Sequence, residues 1–255
     1  MAGFAAVDSS PDPGGLVRYL DHTAASASAM KHYVAAAHAL RQPCGPTLDL
    51  GCGAGHDLVL LASFGLAAVG VEPSGVMVEA ARVRTGRLPV ELVRSVGECL
   101  PFRDGVFWGC RIERVLIHVR DPAVVLREAL RCVRSGGLIT VFEPDLKHFE
   151  VTSDVLESAA GWLTGVRHPE IGAALSRLVE EAGCEILDRV EERSVWRSLR
   201  ALQFVGFPES VDRAVVAGRV SEADARRWVL EQQDRDAGGT FHAVMPRILI
   251  VATKC

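Results

Sequence analysis

The sequence predicts an α/β protein built on a doubly wound, mostly parallel sheet. Short, almost wholly apolar segments alternate with helical stretches at least four times between residues 47 and 142. Glycine-rich turns stand at the junctions, and 255 residues suit one generous α/β domain. The composition, 49% apolar and 24% charged, is that of a globular chain. A net charge of -4 provides no basic face for a phosphate backbone, so nucleic acid is excluded as the main partner. No stretch approaches the roughly 18–20 apolar residues of a membrane helix, and Met1 to Gly15 has no signal-peptide pattern. The seven cysteines (Cys44, Cys52, Cys99, Cys110, Cys132, Cys184, Cys255) lack metal-site spacing. Reduced thiols, a cytoplasmic location and no metal are expected.

Pro11, Pro13 and Gly14-Gly15 suggest a flexible leader over residues 1–15. Apolar residues at helical spacing from Leu16 to Leu40 predict one or two helices, broken by Gln42 to Pro46. Thr47–Leu50 is the first strand, Gly51 to Gly55 a turn, and Asp57–Phe64 a helix closed by Gly65. Ala67–Val71 reads as a strand covered on both faces, ending at Glu72. A helix over Ser74–Arg84, a strand over Val90–Ser95 and a strand over Trp108–Ile112 follow. Asp121-Pro122 opens a helix, with Asp as N-cap and Pro in the first position; Leu138–Phe142 is the fifth strand. Beyond Pro144 the pattern changes: helices over Asp154–Thr164 and Ile171–Ala182, a strand over Cys184–Val190, and a polar helical stretch over Asp212–Ala237. Phe241–Thr253 is the last strand, which Pro246 should either push to a sheet edge or mark with a bulge.

The chemistry concentrates in Leu48-Asp49-Leu50-Gly51-Cys52-Gly53-Ala54-Gly55, a strand-to-helix turn at the crevice where parallel sheets bind ligands. Glycines allow a sharp turn and close approach, and the next helix presents free N–H groups. His56 stands where a dinucleotide fingerprint needs its third glycine, which argues against a nicotinamide enzyme. Glu72, about 20 residues on, is placed to accept from two vicinal ribose hydroxyls.

These residues resemble a known family. Asp49 to Gly55 resembles motif I of class I S-adenosylmethionine (SAM)-dependent methyltransferases, and Val69-Gly70-Val71-Glu72-Pro73-Ser74 is similar to their acidic loop. Glu98-Cys99-Leu100-Pro101-Phe102, followed by Asp104-Gly105 and Phe107, looks like their adenine loop. His118-Val119-Arg120-Asp121-Pro122 and Arg134 to Leu138 resemble the closing motifs of the ubiquinone/menaquinone-methyltransferase-like (type 11) subgroup. The resemblance implies a Rossmann-like, seven-stranded sheet with helical cap elements and SAM as cofactor. It implies that Asp49, Gly51, Cys52, Gly53 and Gly55 edge the methionine part, and that Glu72 and Pro73 flank the ribose. Ser74 and Met77 would lie beside the adenosine, Gly97 and Glu98 along the adenine, Arg114 and Val115 under the methyl donor, and Tyr19 over the cofactor. Val96 and Trp108 occupy positions where relatives usually carry acids.

Residues 1–42 are expected to form a leader and cap helices. Residues 43–255 would be the SAM-binding domain, with cap insertions at about 150–182 and 200–237. The variable stretches 1–42 and 150–235, expected to form the acceptor pocket, hold Trp162, Trp196, Phe204, Phe207 and Trp228, which suits a small apolar acceptor of secondary-metabolite type. The expected reaction is methyl transfer to an O or N atom of that acceptor. The alternative is a methyltransferase-fold protein with a non-methylating role, such as a cyclase. His118 is the first candidate base and His22 the second; His32, His38, His148, His168 and His242 rank below them. Glu143-Pro144-Asp145 ends the fifth strand over the cleft; of two readings, an acid facing the acceptor and a water-exposed loop, the second is preferred. A homodimer is the candidate assembly; nucleic acid and membrane are not expected partners.

Overall fold

The computed structural model describes residues 3–24, 29–41, 45–156, 166–202 and 209–255. Strands β1 (Thr47–Leu50), β2 (Ala68–Val71), β3 (Val90–Val93), β4 (Phe107–Glu113), β5 (Val133–Pro144), β6 (Glu150–Val151), β7 (Cys184–Trp196) and β8 (Ala243–Lys254) form one sheet. Its order is β3-β2-β1-β4-β5-β8, and β6 and β7 both pair with β8. The first five strands run parallel; β8 is antiparallel to its three neighbours. The strand beyond the expected seven is the two-residue β6, which takes the end of β8 that β5 leaves unpaired.

The helices are α1 (Pro13–Ala24), α2 (Ala29–Arg41), α3 (His56–Ser63), α4 (Gly75–Thr85), α5 (Pro122–Cys132), α6 (Ile171–Glu181), α7 (Leu199–Leu202), α8 (Glu209–Val216) and α9 (Glu222–Ala237). Strand alternation divides the core into two layers. Leu48, Leu50, Ile112, Ile139 and Val141 face α5 and α6. On the other face Leu138 and Phe142 meet Val34 of α2, and Ala68 meets Leu58 and Leu61 of α3. Asp121 caps α5 through the N–H groups of Ala123 and Val124, as Asp121-Pro122 implied. Helix α6, assigned to a cap on sequence, buries Ile171, Leu175 and Val179 against the sheet. A satellite core gathers Phe149, Val151, Trp228, Phe241 and Met245 around α8 and α9.

Two expectations are corrected. Residues 3–9 are not a flexible leader: they form a 3₁₀ segment, and Val7 packs against Ala54 and Met77. Strand β8 is interior despite Pro246. The Pro246 carbonyl accepts from Asp145 N at 2.9 Å, and a residue's N–H and C=O leave an extended strand on the same side. The missing donor therefore points to where β5 has turned away, and the pairing with β7 loses nothing. The stretch 212–237 is largely helical, as read, and divides into two helices at Gly218 (φ +67°), with Ser221 capping α9 through Asp224 N. Most of the expected helix 154–164, together with Trp162, Phe204 and Phe207, lies outside the described residues.

Candidate active site

β1 lies between β2 and β4, so its carboxyl end opens the crevice where the chain crosses from one face of the sheet to the other. The turn beyond it runs through Gly51 (φ +74°), Gly53 (φ +52°) and Gly55 (φ +82°), all left-handed. A Cβ on Gly51 would lie 2.3 Å from Val115 Cγ2, and one on Gly55 would lie 2.9 Å from Ala81 Cβ. Backbone pins the turn to β2: Gly51 N and Cys52 N donate to Val71 O at 2.8 and 3.1 Å. Cys52 is a buried filler between this turn and α3.

Glu72 ends β2, and its buried carboxylate ties two loops together. Oε2 accepts from Gly53 N at 3.2 Å and Oε1 from Ser74 N at 3.0 Å. Burial pushes its pKa up, and the two backbone donors oppose the shift. Ser74 caps α4, accepting from Met77 N at 3.2 Å. Pro73 lies between Glu72 and this cap, and its carbonyl accepts from Arg94 Nε at 3.0 Å. Met77 is fully buried beside Ala54. Gly97 and Glu98 are half-buried in the turn after β3, next to exposed Val96.

Beneath the glycine turn lies a charged network that sequence reading missed. Arg111, opposite Asp49 in the β1–β4 register, donates to Asp49 Oδ1 at 2.8 Å and reaches Asp57 Oδ2 at 2.9 Å and Glu113. Lys31 of α2 adds contacts to Asp57 at 3.0 Å and Glu113 at 3.2 Å. Burial lifts Asp49 to about 6 although Arg111 opposes it. Burial alone would also raise Asp57, but Arg111 and Lys31 override it and hold that carboxyl well below its usual range. Asp49 Oδ2 is buried with no hydrogen-bond partner among the described residues. The only signal in the sequence was two charges, Arg111 and Glu113, within an otherwise apolar strand, with Arg114 just past its end.

Past β4, Arg114 has a positive φ (+55°), which no other described residue except glycine shows. Arg114 N donates to Phe142 O, and Tyr19 of α1 lies within electrostatic reach of its guanidinium. Glu143, expected in a solvated loop, is 1% exposed. Its Oε1 accepts from Val115 N at 2.8 Å and Leu116 N at 2.7 Å, and so shapes the turn that carries His118. Burial pushes the Glu143 carboxyl up to about 8, against those donors and Arg114. Asp145 is likewise buried, against Gly172 at the start of α6. Burial, then Arg114, lowers His118 to about 4, which makes it a poor proton acceptor at neutral pH.

The Glu143 shift has a testable sign. With the folded pKa above the unfolded one, the native state binds more protons between about pH 4.5 and 8, and stability falls as pH rises through that window. Glu143→Gln keeps an acceptor for Val115 and Leu116 without the titration. Its stability relative to wild type should improve from pH 5 to pH 8, as measured by denaturant unfolding; parallel pH dependences would refute the assignment.

The N-terminal segment covers the crevice. The Asp8 carboxylate sits at the head of α4, bonded to Ser74 Oγ, Gly75 N and Arg94. Asp21 of α1 pairs with His56 at 3.0 Å and with Arg84. Leu20 Cδ1 lies 3.1 Å from where a Gly53 Cβ would be. His22 is on α1, but its side chain lies outside the described residues.

Strand order, a left-handed glycine turn and an acid at the end of β2 together make a Rossmann-like fold with a candidate ligand crevice above β1. Residues 48–141 match a family model described as a methyltransferase domain. Over 247 residues the chain is 36% identical to an uncharacterized 37.1 kDa protein in transposon TN4556 of Streptomyces fradiae, covering 92% of this chain and 70% of that one. Its fold is similar to that of a putative methyltransferase from Bacillus halodurans C-125 (TM-score 0.63, 17% identity, 88% of this chain and 98% of that one). It is also similar to the [4+2]-cyclase SpnF (TM-score 0.55, 23% identity, 88% and 81%). A methyltransferase domain thus spans residues 48–141, and its cofactor is SAM. The residues present fit that cofactor. The turn at Gly51 leaves no room for a side chain, and the orphaned Asp49 Oδ2 beneath it suits a cationic ligand.

Proposed function

We propose that the chain transfers a methyl group from SAM to an oxygen or nitrogen of a small, apolar acceptor, within the type 11 subgroup that its closing motifs resemble. The observation that carries this reading is the buried Glu72 carboxylate joining the motif I turn to the head of α4, where a ribose would lie. SAM supplies a methyl group already activated on a sulfonium. The protein's work is then alignment and exclusion of water, which can contribute roughly 7–11 kcal/mol. In this reading Gly51, Gly53 and Gly55, with Asp49 and Cys52 behind them, hold the methionine part. Glu72 and Pro73 hold the ribose, Ser74 and Met77 the adenosine face, and Gly97 and Glu98 the adenine edge. Arg114 and Val115 support the methyl group, and Tyr19 closes the site from α1.

The N-terminal helices and the stretches after β5 and β7 would form the acceptor-side cap. Trp228 contributes to its core rather than to its lining, because it is fully buried in the satellite cluster. A cytoplasmic role in secondary metabolism suits this chemistry. The cyclase alternative has in its favour the fold shared with SpnF. Native mass spectrometry of the purified protein, followed by an acceptor screen with methyl-labelled SAM, tests the reading. Label transferred to a small molecule is expected; bound SAM with turnover of acceptor but no label transfer would favour the cyclase.

A further inference from the structure

Asp145 and His148 form a polar pair that no role described above uses. β5 runs parallel to β1 and β4, so its carboxyl end rises on the same rim as the glycine turn. The register places Phe142 opposite Glu113 and one step past the level of Leu50, so Asp145 stands about 10 Å above the level of Gly51 and, two strands away, about 10 Å to its side. This is the rim on which, in the reading above, the acceptor meets the cofactor. Asp145 is 5% exposed, and its Oδ1 is buried without a hydrogen-bond partner among the described residues. Its Oδ2 lies 2.7 Å from His148 Nδ1 on the 3₁₀ turn Leu146–His148, and the His148 side chain is 58% exposed. The turn is fixed to its surroundings: Lys147 N donates to Pro169 O at 3.0 Å, and His168 N donates to Ile117 O at 3.3 Å, beside His118. A buried carboxylate thus holds one nitrogen of an imidazole that is otherwise more than half exposed.

We propose that His148 is the general base of the methyl transfer and that the acceptor atom is a hydroxyl oxygen, with Asp145 as its positioning residue. This rests on the methyltransferase reading above and deepens it. His148 Nδ1–H donates to Asp145, which leaves Nε2 as the proton acceptor. As the acceptor O–H gives its proton to Nε2, the oxygen forms a bond to the methyl carbon and the carbon–sulfur bond breaks with its electrons going to sulfur. The positive charge passes from the sulfonium to the imidazolium, which releases its proton to water. An amine acceptor, with its own lone pair, would need no such dyad. Lys147 lies on the turn itself; against it pack β8, which carries Arg247, and the segment 167–170, which carries Arg167, His168 and Glu170, while Glu150 and His242 lie on the adjoining chain.

The test uses the whole protein, labelled SAM and three probes: catechol, 4-nitrocatechol, whose acidic hydroxyl is already ionised in the assay, and 2-aminophenol. His148→Ala should lower kcat/KM for catechol by about 10²–10⁴-fold. The loss on 4-nitrocatechol should be under about tenfold, and added imidazole should restore part of the catechol rate. His148→Gln should reproduce both losses. Asp145→Asn should lower kcat for catechol about ten- to a hundredfold with KM unchanged. Equal losses on both catechols, no rescue by imidazole, or product only at the 2-aminophenol nitrogen would overturn the proposal. Calorimetric SAM binding separates the failures. A wild type without SAM affinity overturns this inference and the reading beneath it; intact affinity with any of those results overturns this one alone.

Discussion

Arg111→Leu is expected to cost about 3–5 kcal/mol of folding stability, a fall in Tm of about 6–20 °C for a chain of this size. Arg111 is buried and serves three carboxylates: Asp49 at 2.8 Å, Asp57 at 2.9 Å and Glu113. Leucine fills much of its volume but leaves those acids with Lys31, which touches Asp57 and Glu113 and not Asp49. Asp49 would then be a buried charge with no partner, or would take up a proton. Already lifted to about 6 by burial, it should rise further without the guanidinium. Arg111→Lys should not rescue the loss, because one ammonium cannot reproduce a planar fork that spans three acids. Thermal and guanidinium unfolding of the variants measures the effect. A loss under about 1 kcal/mol would mean that the network contributes little to the fold.

Glu72→Ala is expected to weaken SAM binding by at least tenfold, about 1.4 kcal/mol. Two losses combine. The carboxylate that would accept from the ribose disappears, and the donors Gly53 N and Ser74 N lose the group joining them. The second loss loosens the turn that meets the methionine part, so damage at one point reaches both halves of the cofactor. Glu72→Gln keeps one carbonyl oxygen and should fall between wild type and the alanine variant. Isothermal titration with SAM and with its demethylated product reads both steps.

Local chemistry was legible in the sequence. The glycine turn, the Asp121-Pro122 cap and the alternation of strand and helix depend on residues a few positions apart, and the structure has them as read. What escaped reading depends on distant pairing. The partners of Arg111 come from β1 and α3 as well as β4, with Lys31 of α2 pairing to two of the same acids, and no local pattern announces that they meet. Asp8 reaches the head of α4, 67 residues away, so a stretch that reads as loose is in fact a cover for the site. Glu143 is in the last residues of a strand and Asp145 follows it, where water is the usual neighbour. The folded turn after β4 and the start of α6 bury them instead. Pro246 obeys its own rule, but the departure of β5 from the sheet sets where its missing donor points. His148 ranked low because the sequence does not reveal the buried acid behind it.

The central claim is that a sulfonium nucleoside occupies the crevice above β1 and is tied through its sugar to Glu72. Calorimetric titration of wild type and Glu72→Ala with SAM, with far-UV spectra to show equal folding, tests it most directly. Saturable binding at one site per chain, weakened tenfold or more in the variant, is the predicted result. Equal affinity in two folded proteins, or no binding by wild type, would contradict it.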